Sequence, residues 1–395
     1  MDEIVKRIQE LSDKYKDETA ENLARLVRLR SLSGHEKEVV IELQRQMQAA
    51  GFDEARIDPL GNLIGRVGYG PRVLAIDAHI DTVDTGNPDN WSFPPFCGEI
   101  RDGHVLGLGA VDQKGGAAAM VTAGRILKEI GFDRDVSVYF TCTVMEEDCD
   151  GLCWKYIIEQ DQLKPDLVII TEPTNLGLYR GHRGRMEINV SFHGVSAHGA
   201  APDRGDNAIY SAARTCLEVD KLNQRLKPDN FLGKGSATVS EFVSASPSLC
   251  AVADFAKIHI DRRLTWGETK DSAMAEIDAL VHGGKFKSEV LHYSGRAFTG
   301  LEYGMEKYFP TWRLEDDHPA VRSGAAVYKE LFGHEPRIGR WDFSTNGVVI
   351  NGLYNIPTIG FGPGNEIMAH APNEKMPISD LPQAAAFYAL FAYRF

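Results

Sequence analysis

Apolar strand-like runs alternate with helical patterns in the first half of the chain, and this alternation limits the fold more than any other feature. The strand-like runs lie at residues 72–79, 136–144 and 166–171, and helical patterns follow the first two at 115–130 and 151–160. Such an alternation predicts an α/β fold with a mostly parallel sheet flanked by helices. Because ligands bind beyond the carboxyl ends of such strands, the polar residues that follow each strand are candidate site residues.

A different pattern begins at residue 183. An alternating strand at 184–192 is followed by a helix, two strands, a second helix and a final strand at 286–293, which gives the order βαββαβ. This order is typical of a ferredoxin-like unit. We therefore predict three segments, namely a first part of a main domain at 1–182, an inserted lid domain at 183–295 and the second part of the main domain at 296–395.

The composition argues against several classes of partner. The chain has 395 residues and a formal net charge of −13, so neither nucleic acid nor an anionic membrane surface is an expected partner. A short basic group at 180–185 is compatible with small anionic substrates. We find no apolar run of about 18 residues, the length that a membrane span needs. The six cysteines lack C-x-x-C spacing, which favours a reducing, cytoplasmic compartment over a disulfide framework.

The strand-like run at 72–79 ends in a histidine that is followed two residues later by a carboxylate. Residues i and i+2 of an extended chain point to the same face, so Asp81 can lie behind His79. A carboxylate in that place accepts the second ring N–H of a metal-binding histidine and fixes its tautomer. We therefore interpret His79 as a candidate metal ligand and Asp81 as the residue that supports it.

Four further polar clusters follow, most of them directly after a strand-like run. They contain Asp112 in a glycine-rich turn, the pair Glu146 and Glu147, Glu172, and His370 in a loop after the sequence G-F-G-P-G. Adjacent side chains on extended backbone point in opposite directions, so Glu146 and Glu147 are expected to have different tasks.

Two imidazoles and three carboxylates from these clusters form one candidate ligand set: His79, Asp112, Glu147, Glu172 and His370. Such a set suits Zn²⁺, Co²⁺ or Mn²⁺. One carboxylate can bridge two ions ~3.5–4 Å apart, which leaves one histidine and one carboxylate for each ion. Glu146 lies next to a ligand but faces another way, so it is the natural general base.

The five clusters and their order resemble the motifs of metallopeptidase family 20. This family of co-catalytic zinc amidohydrolases includes acetylornithine deacetylase, succinyl-diaminopimelate desuccinylase, aminoacylase and related carboxypeptidases. The motifs that carry the resemblance are A-H-I-D-T at 78–82, G-A-V-D-Q-K-G-G at 109–116, M-E-E at 145–147, T-E-P-T at 171–174 and A-H-A-P-N-E at 369–374. The resemblance covers essentially the whole chain. It implies a zinc-peptidase-like main domain and a lid domain through which two chains could form a homodimer.

The resemblance also implies how the ligands are shared between two metal ions. His79 and Glu172 would hold one zinc ion, and Glu147 and His370 would hold the other. Asp112 would bridge the two ions. The peptide bond after this bridging residue is cis in the family, which implies a cis bond here as well.

The resemblance implies catalytic roles for two carboxylates that are not ligands. Asp81 would support His79, and Glu146 would be the general base for a metal-bridged hydroxide that acts as the nucleophile. Gln113, which follows the bridging residue, departs from the Asp, Asn or Met that most relatives carry.

Further candidates come from the lid and from the turn before His370. His198 in S-A-H-G resembles the family's lid histidine, which donates to the oxyanion and often reaches the partner subunit's site. Arg263 in D-R-R resembles the arginine that binds a substrate carboxylate, a task that suits the paired N–H donors of arginine. Asn207, Gly362 and Gly364 are expected to help hold the same end of the substrate.

The function expected from the residues and the resemblance is that of a di-zinc hydrolase that cleaves the amide bond of an N-acyl amino acid or a small dipeptide-like substrate. An N-carbamoyl-amide hydrolase on the same scaffold is one alternative. A metal-loaded binding protein without turnover is another, although such a protein would not need Glu146. A nucleotide-binding protein built on the glycines at 107–116 is disfavoured, because the strand–G-x-G-x-x-G–helix context is absent.

Overall fold

The computed structural model describes residues 2–395 and contains two large sheets. Its helices are α1 (Glu3–Lys14), α2 (Lys16–Arg28), α3 (Lys37–Ala49), α4 (Gly115–Glu129), α5 (Leu152–Glu159), α6 (Ala208–Arg225), α7 (Lys270–Ala279), α8 (Pro319–Phe332), α9 (Gly347–Ile350) and α10 (Asp380–Arg394). Each helix within residues 2–395 is too short or too polar to cross a lipid bilayer.

The strands are numbered in chain order. They are β1 (Glu54–Ile57), β2 (Leu63–Val67), β3 (Arg72–His79), β4 (Glu99–Arg101), β5 (His104–Leu106), β6 (Val136–Thr143), β7 (Leu167–Ile170), β8 (Leu178–His182), β9 (Gly184–His193), β10 (Pro228–Asp229), β11 (Gly233–Lys234), β12 (Ser236–Ala245), β13 (Phe255–Leu264), β14 (Lys285–Val290), β15 (His292–Arg296), β16 (Glu302–Glu306), β17 (Tyr308–Phe309), β18 (Trp312–Arg313), β19 (Ile338–Trp341), β20 (Thr358–Gly360) and β21 (Lys375–Pro377).

The main sheet has a parallel centre and antiparallel margins. Its order is β1-β2-β6-β3-β7-β20-β8-β18, and β19 lies beside β8. Strands β6, β3, β7 and β20 run parallel to one another, whereas β1, β2 and β18 are antiparallel to their neighbours. The predicted α/β fold with a mostly parallel sheet flanked by helices is therefore confirmed.

Small side chains let helix α4 pack closely into this main layer. Its alanines and glycines are buried, and α4 packs against α10. A Cβ on Gly124 would lie only 2.2 Å from the ring of Phe52, so only glycine fits at this position. Because α4 begins at Gly115, within the glycine-rich segment 107–116, its fixed position also fixes the turn that precedes it.

The second sheet has the order β12-β13-β9-β14, with β17 beside β9, and it has a hydrophobic cluster of its own. Its elements follow the chain as β9–α6–β12–β13–α7–β14, which is the βαββαβ order that the sequence pattern predicts. Buried and partly exposed residues alternate along β9 and β13, so one face of the sheet packs on its helices and the other remains polar.

Two local predictions are wrong. The helical pattern at 36–50 predicts Ser33 as an N-cap, but α3 begins after Glu36 without a side-chain cap, and the Ser33 hydroxyl donates instead to Asp81. The strand predicted at 286–293 is broken at Leu291, whose N–H donates to the carbonyl of Glu187 and whose carbonyl accepts from Lys307. The chain after the break forms β15, which pairs with β16 outside the second sheet.

A buried histidine lies where the chain passes from the main sheet to the second sheet. Nε2 of His182 accepts hydrogen bonds from the indole N–H of Trp312 at 2.7 Å and from the N–H of Thr345 at 3.2 Å. Nδ1 lies 2.8 Å from the carbonyl of Arg183, to which it donates. These contacts fit the neutral ring, and burial lowers the pKa of His182 to about 4.

Acidification should therefore destabilise the fold at His182. The unfolded chain binds a proton there below a pKa of about 6.5, whereas the pKa of the folded chain is about 4. The free energy of unfolding should fall as the pH drops through this window, by up to about 3 kcal/mol from this residue. Urea denaturation of His182→Gln should lack that part of the slope, and His334→Gln, at an exposed histidine, should keep it. Equal slopes in the two variants would contradict the assignment.

Candidate metal centre

Polar side chains converge at the carboxyl ends of the central parallel strands. Strand β3 ends at His79, whose register partner on β6 is Thr143, so the residues that follow β6 lie at the same edge. Strand β7 pairs with β3 on its other side, which brings Glu172 to that edge. Parallel pairing thus gathers His79, Glu147 and Glu172 although they are far apart in sequence.

One group of candidate ligands consists of His79, Asp112 and Glu172. Nε2 of His79 lies 2.9 Å from Oδ1 of Asp112 and 3.6 Å from Oε1 of Glu172. One ligand atom from each residue lies within 4.8 Å of the others, and all three residues are buried. A set of one imidazole and two carboxylates in this spacing can hold a divalent cation.

A second group consists of Asp112, Glu147 and His370. Nε2 of His370 lies 3.0 Å from Oε2 of Glu147 and 3.5 Å from Oδ2 of Asp112. These ligand atoms also lie within 4.8 Å of one another. Asp112 therefore presents one oxygen to each group, which is the arrangement that a bridging carboxylate needs.

Asp81 supports both groups, but not in the way the sequence pattern predicts. Nδ1 of His79 lies 3.0 Å from the main-chain carbonyl of Asp81 and 3.5 Å from its carboxylate. The other carboxylate oxygen accepts from the hydroxyl of Ser33 at 2.6 Å and from the N–H of Glu147 at 3.0 Å. With Nδ1 donating to the carbonyl, Nε2 of His79 faces Asp112 as the candidate ligand atom.

Glu374 fixes the turn that carries Asp112, a role that the sequence reasoning missed. Its carboxylate accepts three main-chain hydrogen bonds, from Gly109 at 2.9 Å, Val111 at 2.6 Å and Asp112 at 3.0 Å. The only signal was its place in the motif A-H-A-P-N-E, four residues after His370. The Asp112–Gln113 peptide bond is cis, as the family resemblance implies.

The site concentrates negative charge in a buried volume. Burial raises the pKa of Glu146 and Glu172 well above the usual range and that of Glu147 to about 7. The hydrogen bond to Glu147 raises the pKa of His370 to about 9. Burial opposes protonation of His79, but its contacts with Asp112 and Asp81 raise its pKa well above the usual value. Divalent cations would take the place of these protons as counter-charge.

Two buried carboxylate oxygens of the site are unpaired among the described residues. Oε1 of Glu146 and Oε2 of Glu172 are buried and have no hydrogen-bond partner within residues 2–395. Buried polar atoms in native proteins nearly always have a partner. The donor set and the shared carboxylate of Asp112 therefore fit a pair of divalent cations.

A groove of about 460 Å³ opens onto both groups of ligands. Besides those ligands, it is lined by Glu146, Asp150, Arg185, Arg263, Phe343, Ser344, Glu366 and Ala369. A larger cavity of about 550 Å³ lies at the amino ends of the strands, near Arg72, Leu167 and Pro357, and is lined by none of the candidate ligands. The smaller groove is therefore the candidate active site.

Of the three predicted site residues within 183–295, only Arg263 lines this groove. Arg263 lines it, held by two hydrogen bonds to Asp261 at 2.8 and 3.0 Å. His198 and Asn207 do not line it. His198 accepts from the N–H of Ala200, and Asn207 caps helix α6.

The predicted glycines lie behind the site rather than in the groove. A Cβ on Gly362 would lie 2.1 Å from the carbonyl oxygen of Glu172, so this glycine allows the two backbones to touch. Its own N–H donates to Thr174, and the N–H of Gly364 donates to Asp380. Gly362 thus holds the backbone around Glu172, and Gly364 is held by Asp380.

Comparisons with known proteins identify the family of this chain. The sequence model of peptidase family M20/M25/M40 matches residues 75–394. The chain belongs to this family. As a member of family M20/M25/M40 it is a hydrolase that acts on amide or peptide bonds, and the resemblance inferred from the motifs is confirmed.

Relatives and solved structures of similar proteins span nearly the whole M20/M25/M40 chain. The uncharacterized protein YgeY of Escherichia coli strain K12 is 50% identical over 386 residues, which are 97% of this chain and 96% of that protein. A probable succinyl-diaminopimelate desuccinylase of Staphylococcus epidermidis is 33% identical, covering 89% and 91% of the two chains. The fold is similar to that of aminopeptidase PepT from Bacillus cereus, with a TM-score of 0.74, 22% identity and coverage of 96% and 98%.

Proposed function

We propose that this protein is a co-catalytic di-metal hydrolase that cleaves the amide bond of an N-acyl amino acid or a small dipeptide-like substrate. Zinc is the proposed metal, with Co²⁺ or Mn²⁺ as substitutes that suit the same donors. The observation that carries the proposal is Asp112, whose two oxygens face two separate groups of ligand atoms. Glu146, which belongs to neither group, lines the same groove.

The proposed ligands divide between the two ions as the geometry suggests. His79, Asp112 and Glu172 would hold one ion, and Asp112, Glu147 and His370 would hold the other. When bound, divalent ions of this kind lower the pKa of a water molecule to about 7 and polarise the amide carbonyl.

Glu146 is the proposed general base. It is buried at the groove, and its Oε1 has no hydrogen-bond partner within the described chain, so this oxygen can accept a proton from the attacking water. The same group would then deliver the proton to the leaving nitrogen. A binding protein without turnover would not need such an acid.

Arg263 is proposed to bind the terminal carboxylate of the substrate from the wall of the groove. His198 and Asn207 would join it only after the proposed lid domain, residues 183–295, moves toward the groove, or from the partner subunit of a homodimer. Gly362 and Gly364 would contribute through the backbone of their turn. The domain boundaries and the cytoplasmic compartment stay predictions.

The desuccinylase name of the S. epidermidis relative supports an N-acyl amino acid as the substrate, because that relative is 33% identical along most of both chains. An N-carbamoyl substrate also presents a carbonyl C–N bond, within a ureido group, and remains the alternative within enzymes. No observation on the groove favours it over an N-acyl amide.

A substrate screen tests the proposed function. N-acetyl, N-succinyl and N-carbamoyl amino acids and dipeptides would be incubated with the protein and added Zn²⁺ or Co²⁺, and amine release would be measured. We expect release from N-acyl amino acids or dipeptides by the wild type and none by Glu146→Gln. Release from N-carbamoyl substrates alone would favour the alternative, and no release from any of them would overturn the proposal.

A further inference from the structure

Two arginines lie side by side on the wall of the groove. Arg185 on β9 and Arg263 on β13 are direct register partners in the second sheet, and both line the groove. Directly opposed residues of an antiparallel pair project from the same face, and like charges in that arrangement repel each other. Two cations placed together on the wall of this groove therefore favour an anionic ligand.

The two arginines differ in how their donors are used. Arg263 donates two hydrogen bonds to Asp261. The guanidinium of Arg185 forms no hydrogen bond within residues 2–395, and its Nε is buried without a partner. It approaches only Asp150 at 3.3 Å and Glu187 at 3.9 Å, although its side chain is only 20% exposed.

The surroundings of Arg185 suit a planar anion. Its guanidinium carbon lies 4.7 Å from the ring centroid of Phe309, which restricts the side chain on that side. A guanidinium has five N–H donors in a fixed fork that matches the two oxygens of a carboxylate. Leaving these donors unfilled in a mostly buried place is costly, so a ligand that fills them would be bound favourably.

We propose that Arg185 binds a second carboxylate of the substrate next to Arg263. This inference rests on the proposed function and names its substrate class: N-acyl amino acids or dipeptides that carry two carboxylates, one in addition to the terminal carboxylate. Arg185 is thus a specificity-determining residue. The basic group at 180–185 is compatible with an anionic ligand in the sequence, but only the structure, in which Arg185 pairs with Arg263 and lines the groove, identifies the residue.

A purely structural role for Arg185 makes a different prediction. As a counter-ion for Asp150 alone, Arg185 would influence stability and would affect dicarboxylate and neutral substrates equally. As an anion-binding residue, it would affect only ligands with the second carboxylate. Ligand pairs that differ only in that group separate the two roles.

Calorimetric binding provides the first test, and it does not depend on turnover. The probes are succinate and its monoamide, succinamate. The wild type should bind succinate about 10- to 100-fold more tightly, as expected for a charge-assisted contact. Arg185→Gln should lose most of this preference, and Arg214→Gln, on helix α6 away from the groove, should keep it. Equal binding of the two probes by the wild type, or an unchanged preference in Arg185→Gln, would overturn the inference.

Turnover provides the second test. The ratio of kcat/KM for N-acetyl-L-glutamate to that for N-acetyl-L-glutamine, and for N-succinyl to N-succinamoyl amino acids, should fall in Arg185→Gln, chiefly through KM. Arg185→Lys, which keeps the charge without the fork, should retain part of the ratio. If Arg185→Gln does not fold, Asp150→Asn combined with Arg185→Gln removes both charges and carries the same expectation. Absence of hydrolysis with an intact succinate preference would overturn the proposed function but support the anion site.

Discussion

Glu146→Gln should lower kcat by about 10²- to 10⁴-fold, the usual contribution of a general base, while the bound metal is retained. The reason is the position of this carboxylate: it lines the groove and belongs to neither group of ligand atoms. Glutamine keeps the shape of the side chain but cannot take a proton. Steady-state kinetics together with metal analysis of the same preparation check both parts of this expectation.

Two variants on the same loop serve as controls for Glu146→Gln. Asp148→Asn makes the same acid-to-amide change at an exposed residue that does not line the groove, and it should keep wild-type turnover. Glu147→Gln alters a proposed ligand and should lose metal as well as activity. Wild-type kcat in Glu146→Gln would remove Glu146 from the mechanism.

Removal of metal should abolish amide hydrolysis, and Zn²⁺ or Co²⁺ should restore it. The carboxylates of Asp112, Glu147 and Glu172 converge in a largely buried volume with two imidazoles, a donor set that suits these ions better than Mg²⁺. Thermal stability should fall with the metal, since a ligand at a thousand times its Kd stabilises the folded state by about 4 kcal/mol.

The chelation experiment has a direct control. A chelator that is already saturated with zinc should leave activity unchanged, which separates metal removal from other effects of the reagent. Activity and melting temperature would be measured on protein whose residual metal content has been determined. Full activity in metal-depleted protein would exclude the proposed chemistry.

The sequence predicts which candidate ligands come together because parallel pairing is a strong constraint. Runs of buried residues identify β3, β6 and β7, and adjacent parallel strands end at one edge, so His79 and Glu172 must meet there. Asp112 lies in the short turn before α4 and His370 in a loop, where no strand register predicts their positions. Their identification came from the motifs, and the structure brings both within reach of the other ligands.

Contacts that depend on the path of the main chain could not be predicted. The carboxylate of Asp81 accepts hydrogen bonds from Ser33 and Glu147, because the main-chain carbonyl of Asp81 already accepts from Nδ1 of His79. The role of Glu374 depends on three main-chain N–H groups that face one point. No pattern of side chains reveals such an arrangement.

The position of the second sheet relative to the groove could not be predicted from the sequence either. The motif around His198 predicts a site residue, yet the structure has this histidine outside the groove. Arg185 shows the opposite case, because its sequence neighbourhood indicated only a basic group. Tertiary packing determines whether His198 and Arg185 reach the groove, because a sequence motif indicates the type of side chain but not the distance between two sheets.

Anomalous diffraction at the zinc absorption edge, from crystals of the zinc-loaded protein, tests the central claim most directly. We expect two peaks in each chain, one among His79, Asp112 and Glu172 and one among Asp112, Glu147 and His370. Two ions that share Asp112 would establish the bridged pair from which the function is argued. A chain with no zinc between these residues, or with its zinc bound elsewhere, would contradict the account.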